Sequence, residues 1–235
     1  MKRVINFSGG KTSALMTILL KPTEDDIVLF TDTQREHPLT YKFIDDFEKN
    51  EGIKITRISY DGGFDAYVRK VKFLPNQAMR ICTTELKIET AKRYLRSLGI
   101  QKFESYIGFR ADEERRVKGY TQFHKKVIPK FPLYDMGITK ADVQQYWLNK
   151  SYTLDVPPIL GNCDLCFLKG KNAIITILQH YPELADKWIA DEKAVGATYF
   201  KDISYEQMLD IAQRQLSLFD LDKQLPAYSC SCTTF

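Results

Sequence analysis

An α/β fold, a doubly wound and mostly parallel sheet followed by a C-terminal helical extension, is predicted from three observations. Short β-prone apolar runs alternate with helical patterns over the first 170 residues, which implies βαβ units with helices on both faces of a sheet. A glycine-rich loop joins the first such run to the first helical pattern. Beyond it all, the remaining stretch reads as amphipathic helices. The chain therefore divides into an α/β domain over residues 1–170 and a helical extension with a cysteine-containing tail over residues 171–235. With 235 residues, 44% hydrophobic and 27% charged, there is material for one substantial core.

Val4 to Phe7 is the first predicted strand and runs directly into Ser8-Gly9-Gly10-Lys11-Thr12-Ser13. Adjacent glycines let the backbone turn tightly and approach a ligand without Cβ interference, and the following helix offers unpaired N–H groups at its positive dipole end. Lys11 adds charge and the hydroxyls of Ser8, Thr12 and Ser13 add donors, so the loop reads as a phosphate cradle. The Walker A pattern needs a glycine five positions before Gly10, where Ile5 stands, and is excluded. Ile27 to Phe30 is the second strand, with Asp32 just past it. Pro38 to Asn50 is helical, placing Leu39, Phe43 and Phe47 on one face. Lys54 to Ile58 and Tyr106 to Phe109 are the third and fourth strands. Ligands of such sheets sit outside the carboxyl ends of the strands, so the loop, Asp32 and Gly108-Phe109-Arg110 are expected to converge. There Lys11 and Arg110 are the candidate catalytic cations, stabilising charge on phosphoryl oxygens. Asp32, at a strand end facing a phosphate site, either binds a hydroxyl, an amine or Mg²⁺ or is a helix N-terminal or turn-forming acid.

From Arg110 to Lys130 the residues Arg110, Arg115, Arg116, Lys118, Lys125, Lys126 and Lys130 face three acids, with Tyr120 and Phe123 interleaved. This is a solvated loop or a holder for a polyanion such as a nucleic-acid backbone. Asn172 to Gln179, Pro182 to Lys193 and Ser204 to Leu218 read as helices, the last capped by Ser204. Trp147, Trp188, Tyr199 and Phe200 read as packing residues, and His37 is the histidine nearest the site.

Four further segments follow the loop in order: Thr31-Asp32-Thr33-Gln34-Arg35-Glu36-His37-Pro38-Leu39-Thr40-Tyr41, Arg80-Ile81-Cys82-Thr83-Thr84-Glu85-Leu86-Lys87, Ile107-Gly108-Phe109-Arg110-Ala111-Asp112-Glu113-Glu114-Arg115-Arg116, and Gly161-Asn162-Cys163-Asp164-Leu165-Cys166. Pro132-Leu133 and Asp142-Val143 lie between the last two. In this order they resemble the phosphoadenylylsulfate (PAPS) reductase family, within the PP-loop ATP pyrophosphatase and adenine nucleotide alpha hydrolase superfamily. Thr12 stands where the superfamily loop has Asp, and the family's terminal Glu-Cys-Gly-Leu-His motif is absent. The resemblance implies an adenine nucleotide bound by Ser8, Gly9, Gly10, Lys11, Thr12, Ser13, Asp32, Gly108 and Arg110. It implies an enzyme that adenylates a substrate with Mg²⁺ and ATP, releases pyrophosphate and transfers sulfur. The alternatives are reduction of phosphoadenylylsulfate or adenylylsulfate to sulfite, and a metal-stabilised nucleotide-binding module without turnover.

The five cysteines are Cys82, Cys163, Cys166, Cys230 and Cys232. C-x-x-C and C-x-C spacings suit metal or redox sites better than disulfide frameworks in a cytoplasmic chain, the expected location. Cys82, Cys163, Cys166 and Cys230 could hold a four-iron four-sulfur cluster, as the iron–sulfur branch of the resembled family does, leaving Cys232 as a catalytic nucleophile. Cys163, Cys166, Cys230 and Cys232 could instead bind zinc, or the two pairs could relay sulfur or electrons. A thiol reductant or sulfur-donor protein is an expected partner. The net charge of +4 does not demand a nucleic acid, which stays open as an acceptor, and no apolar run is long enough to span a membrane.

Overall fold

The computed structural model describes residues 1–120 and 126–214. Five parallel strands form one sheet in the order β3-β2-β1-β4-β5: β1 (Lys2–Asn6), β2 (Ile27–Asp32), β3 (Thr56–Ser59), β4 (Phe103–Tyr106) and β5 (Val127–Lys130). Helices α1 (Lys11–Leu20) and α2 (Pro38–Glu51) carry the chain outward from β1 to β3. It returns through α3 (Gly63–Val71), a short turn α4 (Ile81–Thr83), a π-helical turn (Thr84–Glu89) and α5 (Thr90–Ser97) to β4, on the other side of β1. Then come α6 (Glu114–Lys118), β5, α7 (Pro132–Asp135) and α8 (Lys140–Leu148). The strand order thus reverses between β1 and β4, and the crevice at such a switch point is where doubly wound sheets hold ligands.

Strand periodicity sorts the core onto two faces. Ile5, Val28 and Phe30 pack with Leu15, Phe43, Phe47, Val143 and Trp147, while their neighbours Val4 and Leu29 pack with Ala91, Leu95 and Phe103. Apolar runs buried on both faces are what a parallel sheet requires. Three longer helices follow, α9 (Lys171–His180), α10 (Ala185–Val195) and α11 (Tyr205–Arg214). Their core, with Ile174, Trp188 and Tyr205, also takes in Phe64 and Val68 of α3, Leu86 of the π-turn and Phe167. The doubly wound parallel sheet and the C-terminal helices are therefore as the sequence predicts. Ser204 caps α11 as expected: its hydroxyl accepts from Gln207 N at 3.1 Å, and Gln207 Oε1 accepts from Ser204 N at 2.9 Å.

Two strand expectations change. The fourth strand ends at Tyr106 rather than spanning Tyr106 to Phe109, because the Asn6 side chain at the end of β1 donates to the Tyr106 carbonyl (2.9 Å) and Ser105 Oγ (2.8 Å) and closes the pairing there. The stretch from Arg110 to Lys130 is not a single loop: Ala111–Glu113 is a 3₁₀ turn, α6 follows, and Val127–Lys130 is the edge strand β5, where Pro129 is tolerated. Phe123, His124 and Lys125 lie outside the described residues, as does the end of the helix predicted to run to Leu218. Among the described residues no helix is long and apolar enough to cross a membrane.

Candidate functional site

The loop after β1 is built so that α1 begins with its backbone donors open. Gly10 is the N-cap, in extended conformation and without a side-chain cap, so the first-turn N–H groups are left for a ligand. Gly9 sits at φ +74°, and a Cβ there would stand 2.5 Å from Thr40 Cγ2, so the loop presses against α2 at a point only glycine fits. Ser13 Oγ holds the loop closed by accepting from Ser8 N at 3.0 Å and donating to the Gly10 carbonyl at 2.9 Å. Ser8 Oγ donates to Ser13 Oγ at 3.0 Å. Trp147 Nε1 donates to the Lys11 carbonyl at 2.9 Å, fixing the first turn from α8. That role was not legible in the sequence, where Trp147 reads only as a packing residue.

Gly108 lies against the start of α1: a Cβ on it would be 3.6 Å from Ser13 Cα. Arg110 follows, its guanidinium held by Asp112 (3.0 and 3.2 Å) and Glu113 (3.3 Å) and reaching Thr12 Oγ1 at 3.5 Å. The Arg110 guanidinium holds the Asp112 carboxyl below the usual carboxylate range. Among the described residues Lys11 has no such ion-pair partner, which leaves it as the uncommitted cation at the helix N-terminus. Asp32 serves a turn: its Oδ1 accepts from Gln34 N at 2.6 Å and from the Tyr41 hydroxyl at 2.8 Å. His37 caps α2, its Nδ1 accepting from Leu39 N at 3.0 Å, and burial pulls its pKa below the ordinary 6.5.

The basic tract is largely matched by acids. Arg116 pairs with Glu113, Lys118 with Glu114 and Lys130 with Glu104. Tyr120 packs against Phe109 and Phe131, and burial pushes its phenol up to about 12. It is a packing residue in this arrangement, with Arg116 over the Phe109 ring at 4.2 Å.

Cys82, Cys163 and Cys166 line one small cavity of about 40 Å³, with Thr33, Arg35, Glu36, Thr83 and Lys87. The π-helical turn projects Lys87 inward to Glu36 at 3.1 Å, and Arg35 bonds Asp191 at 2.6 Å. Cys163 and Cys166 are hydrogen-bonded to each other; that bond, reinforced by desolvation, holds the Cys163 thiol well above the usual range. Desolvation also raises the Asp164 carboxyl between them to about 6. The cavity is joined to the Ser8–Ser13 loop by Asn162, which the sequence offered only as part of the Gly161–Cys166 segment and not as a site residue. Its Nδ2 donates to the Ser8 carbonyl at 3.0 Å across 154 positions, and its own carbonyl accepts from His37 N at 2.9 Å. Among the described residues no three Cys, His, Asp or Glu side chains are grouped closely enough to hold a metal. The described thiols by themselves therefore do not fit an iron–sulfur cluster or zinc, and both expected ligand sets draw on Cys230 or Cys232, which lie outside the described residues.

Comparison with known proteins bears on residues 2–156, which match the family model of the phosphoadenosine phosphosulfate reductase domain. Similar chains include the uncharacterized nin region protein ORF290 of Escherichia phage lambda, 28% identical over 74% of this chain and 68% of that one. Two uncharacterized proteins of Methanocaldococcus jannaschii, MJ0973 and MJ0066, are 28% and 30% identical over 81% and 79% of this chain, which spans only 47% and 40% of their lengths. A crystal structure of phosphoadenylyl-sulfate reductase from Candida auris, in complex with phosphate, aligns with a TM-score of 0.44 at 16% identity, covering 72% of this chain and 77% of that one. The Cys163 turn falls outside the matched residues, but the Ser8–Ser13 loop, the Asp32 turn and Gly108-Phe109-Arg110 all fall inside them. The chain belongs to the phosphoadenosine phosphosulfate reductase domain family.

Proposed function

We propose that this chain binds an adenine nucleotide with its phosphates on the Ser8–Ser13 loop and uses Mg²⁺ and ATP to adenylate an acceptor before sulfur is transferred to it. In the first step an acceptor oxygen attacks the α-phosphorus and pyrophosphate leaves. In the second a sulfur nucleophile attacks the activated carbon and AMP leaves. Lys11 and the open N–H groups of α1 would neutralise charge on the phosphates, with Arg110 aligned at Thr12 by Asp112 and Glu113. The observation that carries the reading is the Asn162 bond to Ser8, which ties a pair of thiols to the loop that would hold the phosphates. The sulfur would come from a donor protein or thiol reductant, and nucleic acids belong among the acceptors to be tried.

A second reading, reduction of a sulfonucleotide to sulfite, draws support from the description of the family itself. Anaerobic protein incubated with Mg²⁺, α-labelled ATP, candidate acceptors including nucleic acid and a thiol sulfur donor, and separately with adenylylsulfate or phosphoadenylylsulfate plus dithiothreitol, distinguishes the two. Release of AMP and pyrophosphate is the expected result; release of sulfite, with ATP intact, would replace the first reading by the second. Binding with neither product would identify a nucleotide-binding module without turnover.

A further inference from the structure

We propose that Cys163 and Cys166 form a dithiol–disulfide couple, and that Asn162 makes the phosphate loop respond to which form is present. The second half of this statement rests on the nucleotide reading above; the first does not. The two thiols are in hydrogen-bond contact, on a turn in which Cys166 N donates to the Cys163 carbonyl at 3.4 Å. Their surroundings favour neutral sulfur. Lys87 is paired with Glu36, Arg35 with Asp191 and Asp65, and Lys169 donates to the Cys163 carbonyl at 2.6 Å, so the cations near the cavity already have partners. Burying several thiolates there would be costly, whereas passing from dithiol to disulfide buries no charge. The cavity they line, about 40 Å³, has room for a few waters, with Cys166 buried and Cys163 half-buried.

Oxidation breaks two S–H bonds and forms one S–S bond, and two electrons and two protons pass to an oxidant that itself carries a disulfide, which leaves as two thiols. A disulfide requires specific Cβ and Cα separations, so its formation adjusts the turn. The next residue back is Asn162, bonded to the Ser8 carbonyl on one side and to His37 N on the other. Any shift of the turn therefore reaches both the phosphate loop and the cap of α2.

The test equilibrates the full chain with glutathione and glutathione disulfide, alkylates free thiols, and maps the products by peptide mass. Affinity for Mg-ATP and for adenylylsulfate is then measured in the fully reduced and fully oxidised states. The expected result is a reversible Cys163–Cys166 disulfide and an affinity difference between states of about fivefold or more. Asn162→Asp, which puts a carboxylate against the Ser8 carbonyl, and Asn162→Ala should both still form the disulfide while the two affinities become equal. Failure to form that disulfide while nucleotide still binds, or isolation of the chain with iron or zinc held by these two thiols, overturns the couple alone. Disulfide formation with equal nucleotide affinities overturns the role of Asn162. Disulfide formation with no nucleotide bound in either state overturns both that role and the nucleotide reading.

Discussion

At Gly9 a φ of +74° coincides with Thr40 Cγ2 only 2.5 Å from where a Cβ would stand. Gly9→Ala should therefore lower stability by about 1–3 kcal/mol and weaken nucleotide binding, read by urea unfolding and by titration. Gly10→Ala should be far milder for folding, since φ there is −103° and the nearest atoms would be 3.7 Å away. His37 makes a second prediction. Only a neutral ring can accept from Leu39 N, and burial lowers the pKa of the folded state below 6.5, so protons bind the unfolded chain more readily. The stability from this cap is complete above 6.5 and is lost as pH falls through 6.5 toward the lowered folded value. His37→Asn keeps a cap acceptor without titrating and should flatten that part of a melting temperature against pH curve. An unchanged slope would show that the cap is not what titrates.

Among the elements, the loop between β2 and α2 is clamped to the C-terminal helices by Arg35. Its guanidinium meets Asp191 of α10 at 2.6 Å, with side chains only 8% and 4% exposed, and Tyr199 donates to the same carboxylate at 2.9 Å. Removing one partner of a buried pair strands the other, so Arg35→Met should cost about 3–5 kcal/mol, and the double variant with Asp191→Leu should recover part of it. Urea unfolding of both variants checks this; equal losses in single and double variants would contradict the clamp. At this scale the sequence was uneven as a guide. The first three strands carry enough apolar residues to show their period. β5 hides because Val127 and Ile128 are followed by Pro129 and Lys130 in a tract dominated by charge. Ile107 and Phe109 alternate with Gly108 and are buried, which imitates a strand, although the pairing with β1 stops at Tyr106.

For the molecule as a whole, the switch between β1 and β4 brings the Ser8–Ser13 loop and Gly108-Phe109-Arg110 to one crevice. The Ser8–Ser13 loop was legible as a strand-to-helix turn because its glycines and hydroxyls are contiguous in sequence. The cysteine cavity was half legible: the spacing of Cys163 and Cys166 marks a pair, but their link to Ser8 runs through an asparagine 154 positions away, which no local pattern reveals. Asp32, read in the sequence either as a ligand contact or as a turn-forming acid, has its Oδ1 engaged by Gln34 N and the Tyr41 hydroxyl. The most direct measurement is thermal stabilisation of the anaerobic full chain by Mg-ATP, adenylylsulfate and phosphoadenylylsulfate, beside Lys11→Ala. A nucleotide at 100 times its Kd should stabilise the native chain by about 2.7 kcal/mol, and the variant should lose most of that gain. No stabilisation by any of the three, or an equal gain in Lys11→Ala, would contradict a phosphate site at the Ser8–Ser13 loop.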